Sequence, residues 1–136
     1  MTPDPRLGLT ALHRRYVPHS AAHYGGGLVD AAYVLSLFGE VATEVCIRSD
    51  GDEGLFASYA DVQFVAPVRG GDVIEVTATV TRVGARSRDL DLTARIICRA
   101  DTAGSGSGAK ELEPPLTAVT ARGTVVVPAV PSGGSR

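Results

Sequence analysis

Leu28-Val29-Asp30-Ala31-Ala32-Tyr33-Val34-Leu35-Ser36-Leu37-Phe38-Gly39-Glu40-Val41-Ala42-Thr43-Glu44-Val45-Cys46-Ile47-Arg48 is the stretch that decides the fold, because its polar and apolar positions divide sharply on a helical wheel. Leu28, Ala31, Ala32, Val34, Leu35, Phe38, Gly39, Val41, Ala42, Val45 and Cys46 cover one contiguous half. Asp30, Tyr33, Ser36, Glu40, Thr43 and Glu44 hold the other, which Val29, Leu37 and Ile47 interrupt. A long helix with so broad an apolar half needs a sheet to lie on. The interrupted half reads as a face that meets another surface.

The flanking segments supply that sheet. Residues 10–17 suit a first strand that Pro18 terminates by denying a ladder donor. Segments 55–66, 72–83, 86–99 and 117–127 are rich in Val, Ile, Thr and aromatic residues with partial alternation. Arg69-Gly70-Gly71-Asp72 and Val83-Gly84-Ala85-Arg86 read as hairpin turns between them. Segment 101–116, with Gly104-Ser105-Gly106-Ser107-Gly108, reads as a flexible loop, and residues 129–136 as a disordered tail. The layout is α+β: one domain over 1–128 in which a curved antiparallel sheet of five strands wraps around one long central helix.

The bulk numbers narrow the function. A chain of 136 residues, 44% hydrophobic, can bury a real core in one domain. The net charge of -2 and the scattered basic residues argue against nucleic acid and anionic membranes, which leaves a small-molecule partner. Cys46 and Cys98 are isolated, which reads as reduced core packing with no metal site. Met1-Thr2-Pro3-Asp4-Pro5 lacks the features of a secretory signal, and a cytoplasmic location is expected.

Chemistry points to the helix entrance, His23-Tyr24-Gly25-Gly26-Gly27-Leu28-Val29-Asp30. Helix N-termini leave N–H groups unpaired and partly positive, and glycines let a substrate oxygen come close to them. Gly25, Gly26 and Gly27 are therefore expected to form an oxyanion site; the alternative is that they only let the chain turn into the helix. Asp30, one turn into that helix, is the leading proton-transfer group, against the alternative of an idle helix-dipole carboxylate. His23 could orient substrate, move a proton or hold the loop, and Tyr24 could donate its hydroxyl or only pack.

A resemblance enters on these same residues. His23-Tyr24-Gly25-Gly26 with Leu28-Val29-Asp30, Leu37 to Glu44, and Asp50-Gly51-Asp52-Glu53-Gly54-Leu55-Phe56 resemble the 3-aminobutyryl-CoA ammonia lyases. Phe64-Val65-Ala66-Pro67-Val68-Arg69-Gly70-Gly71-Asp72 is similar to a more general pattern of hotdog-fold thioesterases. The resemblance implies the hotdog fold, pairing of two domains edge to edge as a homodimer or higher homo-oligomer, and acyl thioester sites at the seam.

It also implies a lyase that adds or eliminates ammonia, or another amine, at the β-carbon of a short 3-aminoacyl or enoyl thioester. Coenzyme A, or an acyl-carrier protein, would be the carrier and part of the substrate, with no separate cofactor. Asp30 and His23 would move the protons, with Gly25 to Gly27 and Tyr24 around the carbonyl. Glu40 is a secondary catalytic candidate that would act from a neighbouring subunit, since ten helical residues put it about 15 Å from Asp30; a paired structural charge is the other reading. Arg82, Arg86 and Arg88 could hold the coenzyme A phosphates, or merely solubilise a turn. Thioester hydrolysis with the same oxyanion site, and acyl-thioester binding without turnover, remain open. The Asp-x4-His spacing of related hydratases is absent.

Overall fold

In the computed structural model, which describes residues 2–129, the described residues form five strands and one long helix. The strands are β1 (Thr10–Tyr16), β2 (Leu55–Phe64), β3 (Val73–Val83), β4 (Ser87–Ala100) and β5 (Ala109–Val126), and the helix α1 runs Ala31–Asp50. Every pairing is antiparallel, in the order β1-β3-β4-β5-β2. β1 and β2 are thus opposite edges, and α1, which joins them, has to cross the sheet. It does so on the face where Ile74, Val76, Leu90, Leu92 and Ile96 form one core with Phe38, Val41 and Val45. Each such side chain contributes roughly 1.5–3 kcal/mol by burial.

The helix begins later and ends later than its periodicity suggests. Asp30 is extended, with φ -75° and ψ 165°, and its carboxylate accepts from the Tyr33 N–H at 2.9 Å, so it caps the helix instead of lying one turn inside it. Gly51, at φ 67°, closes the other end and donates to the Ile47 carbonyl at 2.8 Å. Leu37, placed by the wheel on the interrupted half, is buried with the core.

Two further expectations change. Arg69–Asp72 is no hairpin: β2 pairs with β5, so this turn belongs to the crossover that carries the chain from one edge of the sheet toward the other. Residues 109–116, expected in a flexible loop, are the first half of β5 and pair with β4 as Cys98↔Glu111 and Ala100↔Ala109, leaving 101–108 as the loop. Beyond the core this ladder has no apolar alternation to announce it, and its register shifts between Ile96 and Cys98, beside Pro114 and Pro115. The tail expected at 129–136 lies outside the described residues except for Ala129.

On the face away from α1, Glu75 of β3 is buried between Arg14 of β1 at 2.7 Å and Arg95 of β4 at 3.2 Å. The three residues are in register across adjacent strands.

Candidate active site

The segment before α1 is placed by its partners more than by its own sequence. Gly26 and Gly27 take φ 76° and 72°, a region that glycine enters without strain, and the chain makes a short turn over Gly25–Gly27. Leu28 then bridges to Tyr24 and Arg69. The Val29 N–H donates to the Val68 carbonyl at 3.0 Å, and the Gly70 N–H donates to the Gly27 carbonyl at 2.9 Å. The crossover 65–72 is thereby stitched beside the helix entrance.

Between the two lies an apolar cleft of about 320 Å³. The helix side contributes Val29, Asp30, Ala31 and Val34; the opposite wall is Phe64 through Val68, with Val119 behind. Among the residues lining it, Asp30 alone carries a titratable side chain. One carboxylate oxygen is committed to the cap, and Oδ2 accepts no hydrogen bond among the described residues. The N–H groups of Ala31 and Ala32, in the first helical turn, have no acceptor within the helix and none outside it among the described residues. An ionisable oxygen and free amide donors at the mouth of a small apolar cleft can polarise a carbonyl and move a proton beside it.

The other expected residues fall elsewhere. Gly25, Gly26 and Gly27 precede the helix by a few residues, face open space and do not line the cleft; Ala31 does line it, and Ala32 follows in the same turn, so the free amides nearest the cleft are those that open α1. Sequence reasoning missed these two because alanine carries no signal; the start of the helix depends on the Asp30 cap. His23 and Tyr24 are exposed and also outside the lining. Glu40 pairs with Arg15 of β1. Tyr59, on the edge strand, donates its hydroxyl to the Leu35 carbonyl at 3.0 Å, which ties β2 to the helix.

The three arginines separate. Arg88 is buried and holds Asp50 through Nε at 3.0 Å and Nη2 at 2.7 Å, while its Nη1 donates to the carbonyls of Gly84 and Ser87. Almost fully buried and with four of its five N–H donors engaged, it clamps the end of α1 to the β3–β4 hairpin. Arg82 is paired with Asp89 at 2.7 Å. Among the described residues the Arg86 guanidinium makes only a long contact, 3.5 Å, to the Val127 carbonyl, and it lines hollows with Asp52, Leu55 and Pro128. All three sit at the C-terminal end of α1, roughly 30 Å from Asp30 within one chain.

Cys46 and Cys98 are free thiols, and burial pushes Cys46 up to about 11, which makes it an inert core residue. Among the described residues no cluster of His, Cys, Asp or Glu could hold a metal, and no helix is long and apolar enough to cross a membrane.

Comparison with known proteins agrees with this architecture. The family model of the thioesterase superfamily matches residues 26–96. The 3-aminobutyryl-CoA ammonia lyase of Acetoanaerobium sticklandii is 50% identical over 107 residues, covering 79% of this chain and 85% of that protein. The solved β-alanyl-CoA:ammonia lyase from Clostridium propionicum superposes with a TM-score of 0.83 at 32% identity, over 89% of this chain and 86% of that one. A hexameric hotdog-fold thioesterase of Campylobacter jejuni shares the fold, with a TM-score of 0.70 at 19% identity over 93% of this chain and 84% of its own. A sheet closed on one face by a single crossing helix, with its cleft at the helix entrance, thus belongs to the hotdog-fold thioesterase superfamily, and within it this chain is a member of the 3-aminobutyryl-CoA ammonia lyase type.

Proposed function

We propose that the protein adds ammonia to, and eliminates it from, the β-carbon of a short 3-aminoacyl-CoA thioester at the cleft beside Asp30. The observation that carries this reading is the lone carboxylate at the mouth of that cleft, in a chain half identical to a named 3-aminobutyryl-CoA ammonia lyase over most of its length.

One such group is enough for the chemistry. In the elimination direction, Asp30 takes the proton from the carbon next to the thioester carbonyl, the new double bond forms, and the carbon–nitrogen bond breaks with its electron pair going to nitrogen. The amine enters as an ammonium group, so it leaves as neutral ammonia without further protonation and then accepts the proton held by Asp30. Charge developing on the carbonyl oxygen meets the Ala31 and Ala32 N–H groups, each such donor lowering the barrier by about 3 kcal/mol. Coenzyme A enters with the substrate, and no other cofactor is required.

The working unit is a homodimer paired through β2. An antiparallel match of two ten-residue edge strands, about 33 Å long at 3.3 Å per residue, sets the Leu55 end of one against the Phe64 end of the other. The partner subunit's Arg86 then comes to the side of this cleft and offers its guanidinium to a coenzyme A phosphate. A soluble acyl-CoA substrate suits a cytoplasmic enzyme.

The test incubates the protein with crotonyl-CoA and ammonium, and separately with a saturated acyl-CoA, following enoyl absorbance and free thiol. Loss of enoyl signal without thiol release is expected. Thiol release alone would identify a thioesterase, and a bound thioester of unchanged mass would identify a binding protein.

A further inference from the structure

The wall of the cleft opposite Asp30 is a crossover loop outside the sheet ladder, and what holds it is a buried ion pair. Asp72 is almost fully buried. Arg99, near the end of β4, donates through Nε to its Oδ1 at 3.0 Å and through Nη2 to its Oδ2 at 2.9 Å. The same Nη2 donates to the Pro67 carbonyl at 2.9 Å, in the cleft wall itself. Asp72 Oδ2 also accepts the Arg69 N–H at 2.8 Å. From this node two backbone bonds lead to the helix entrance: Val68 accepts from Val29, and Gly70 donates to Gly27. Asp30 follows directly.

We infer that Arg99, acting through Asp72, is a positioning residue that fixes the Pro67–Gly70 strap and thereby the placement of Asp30 and the first helical amides against the bound acyl group. Arg99 does not line the cleft. Its planar fork engages a carboxylate edge and a carbonyl together, which a lysine ammonium cannot reproduce in the same geometry. A displacement of the order of 1 Å at the strap is enough to lower turnover by about 100-fold, because the reacting atoms must meet within a narrow range.

The inference rests on the reading of Asp30 as the proton-transfer group, and two measurements keep the two apart. The first compares Arg99→Lys and Asp72→Asn with Arg95→Gln, which removes a different ion pair from the same strand, away from the cleft. Both strap variants are expected to lose kcat by about 10- to 100-fold with KM changed less than about threefold, and Arg95→Gln to keep wild-type kcat at a similar loss of thermal stability. The second follows amide hydrogen exchange in Arg99→Lys, which needs no substrate. Val29 and Gly70 should exchange at least about tenfold faster while Val41 and Val45 in mid-helix stay protected. Wild-type kcat in Arg99→Lys, or unchanged protection of Val29 and Gly70, would overturn the inference. A wild-type protein without amination activity would instead overturn the proposed function and leave the exchange result to decide on the strap.

Discussion

Asp30 carries two duties, cap and base, and substitution can separate them. Asparagine is as good an N-cap as aspartate, and in Asp30→Asn a side-chain oxygen can still accept the Tyr33 N–H now bonded at 2.9 Å. What is lost in stability is the interaction of a full charge with the helix dipole, about 0.3–1 kcal/mol. For a chain of 136 residues, 1 kcal/mol corresponds to about 3–4 °C in Tm, so the variant should melt within about 4 °C of wild type. Its kcat should fall by about 100- to 10,000-fold, the usual contribution of a positioned acid–base group. Asp30→Ala loses the cap as well and should be less stable by about a further 1 kcal/mol with equally low activity. Crotonyl-CoA amination and calorimetry on the same samples read both quantities. Asp30→Asn retaining more than a tenth of wild-type kcat would refute the assignment, because the cap alone would then account for the residue.

Arg88→Gln leaves the Asp50 carboxylate partly buried beside Arg6 alone, and should cost about 3–5 kcal/mol in chemical denaturation without changing the KM for the acyl-CoA in the folded fraction. The same pair sets an acid limit. The Arg88 hydrogen bonds, against the opposing effect of burial, hold Asp50 at about 2 instead of 3.8. Folded pKa below unfolded pKa means stability that is fully present above about pH 4 and is lost as pH falls through 2, about 2 kcal/mol in all; acid titration of Arg88→Gln should show a smaller component, the part that Ser49 and Arg6 still hold. Glu40→Gln breaks an exposed pair with Arg15, so stability should change by under about 1 kcal/mol and kcat by less than about threefold; a loss of activity on the Asp30→Asn scale would return Glu40 to the catalytic list. Val34→Phe fills the buried floor of the cleft and should depress kcat/KM for crotonyl-CoA by about 10-fold or more relative to acryloyl-CoA, whereas equal losses on both would place the acyl chain elsewhere.

The frame of this fold was legible because its apolar periods are long enough to outlast their interruptions: the stripe of α1 and most of the alternation in β3 and β4 lie in the core, with Leu37 and Glu75 the departures. Asp30 was legible too, as a carboxylate at a helix entrance. Less visible were features decided by distant parts of the chain. In sequence the glycine turn reads as the amide donor, yet the crossover strap 67–70 bonds to Gly27, Leu28 and Val29, and the helix opens only at Ala31. Arg88 resembles Arg82 and Arg86 in sequence, and only the position of Asp50, 38 residues away, buries it. Local polarity also hid the first half of β5, because a hairpin that outruns the core has no apolar face to display.

The row Arg14–Glu75–Arg95 has a consequence for how the chain finds its register. A slip of one residue between neighbouring strands turns core side chains toward water and is rejected by hydrophobicity alone. A slip of two keeps every side chain on its proper face, so burial cannot detect it. Sliding β1 by two would set Arg14 against Val73 or Thr77 and leave Glu75 desolvated with one cation fewer. That row of charges therefore acts as the sheet's proofreader, catching the misalignment to which its greasy side is blind.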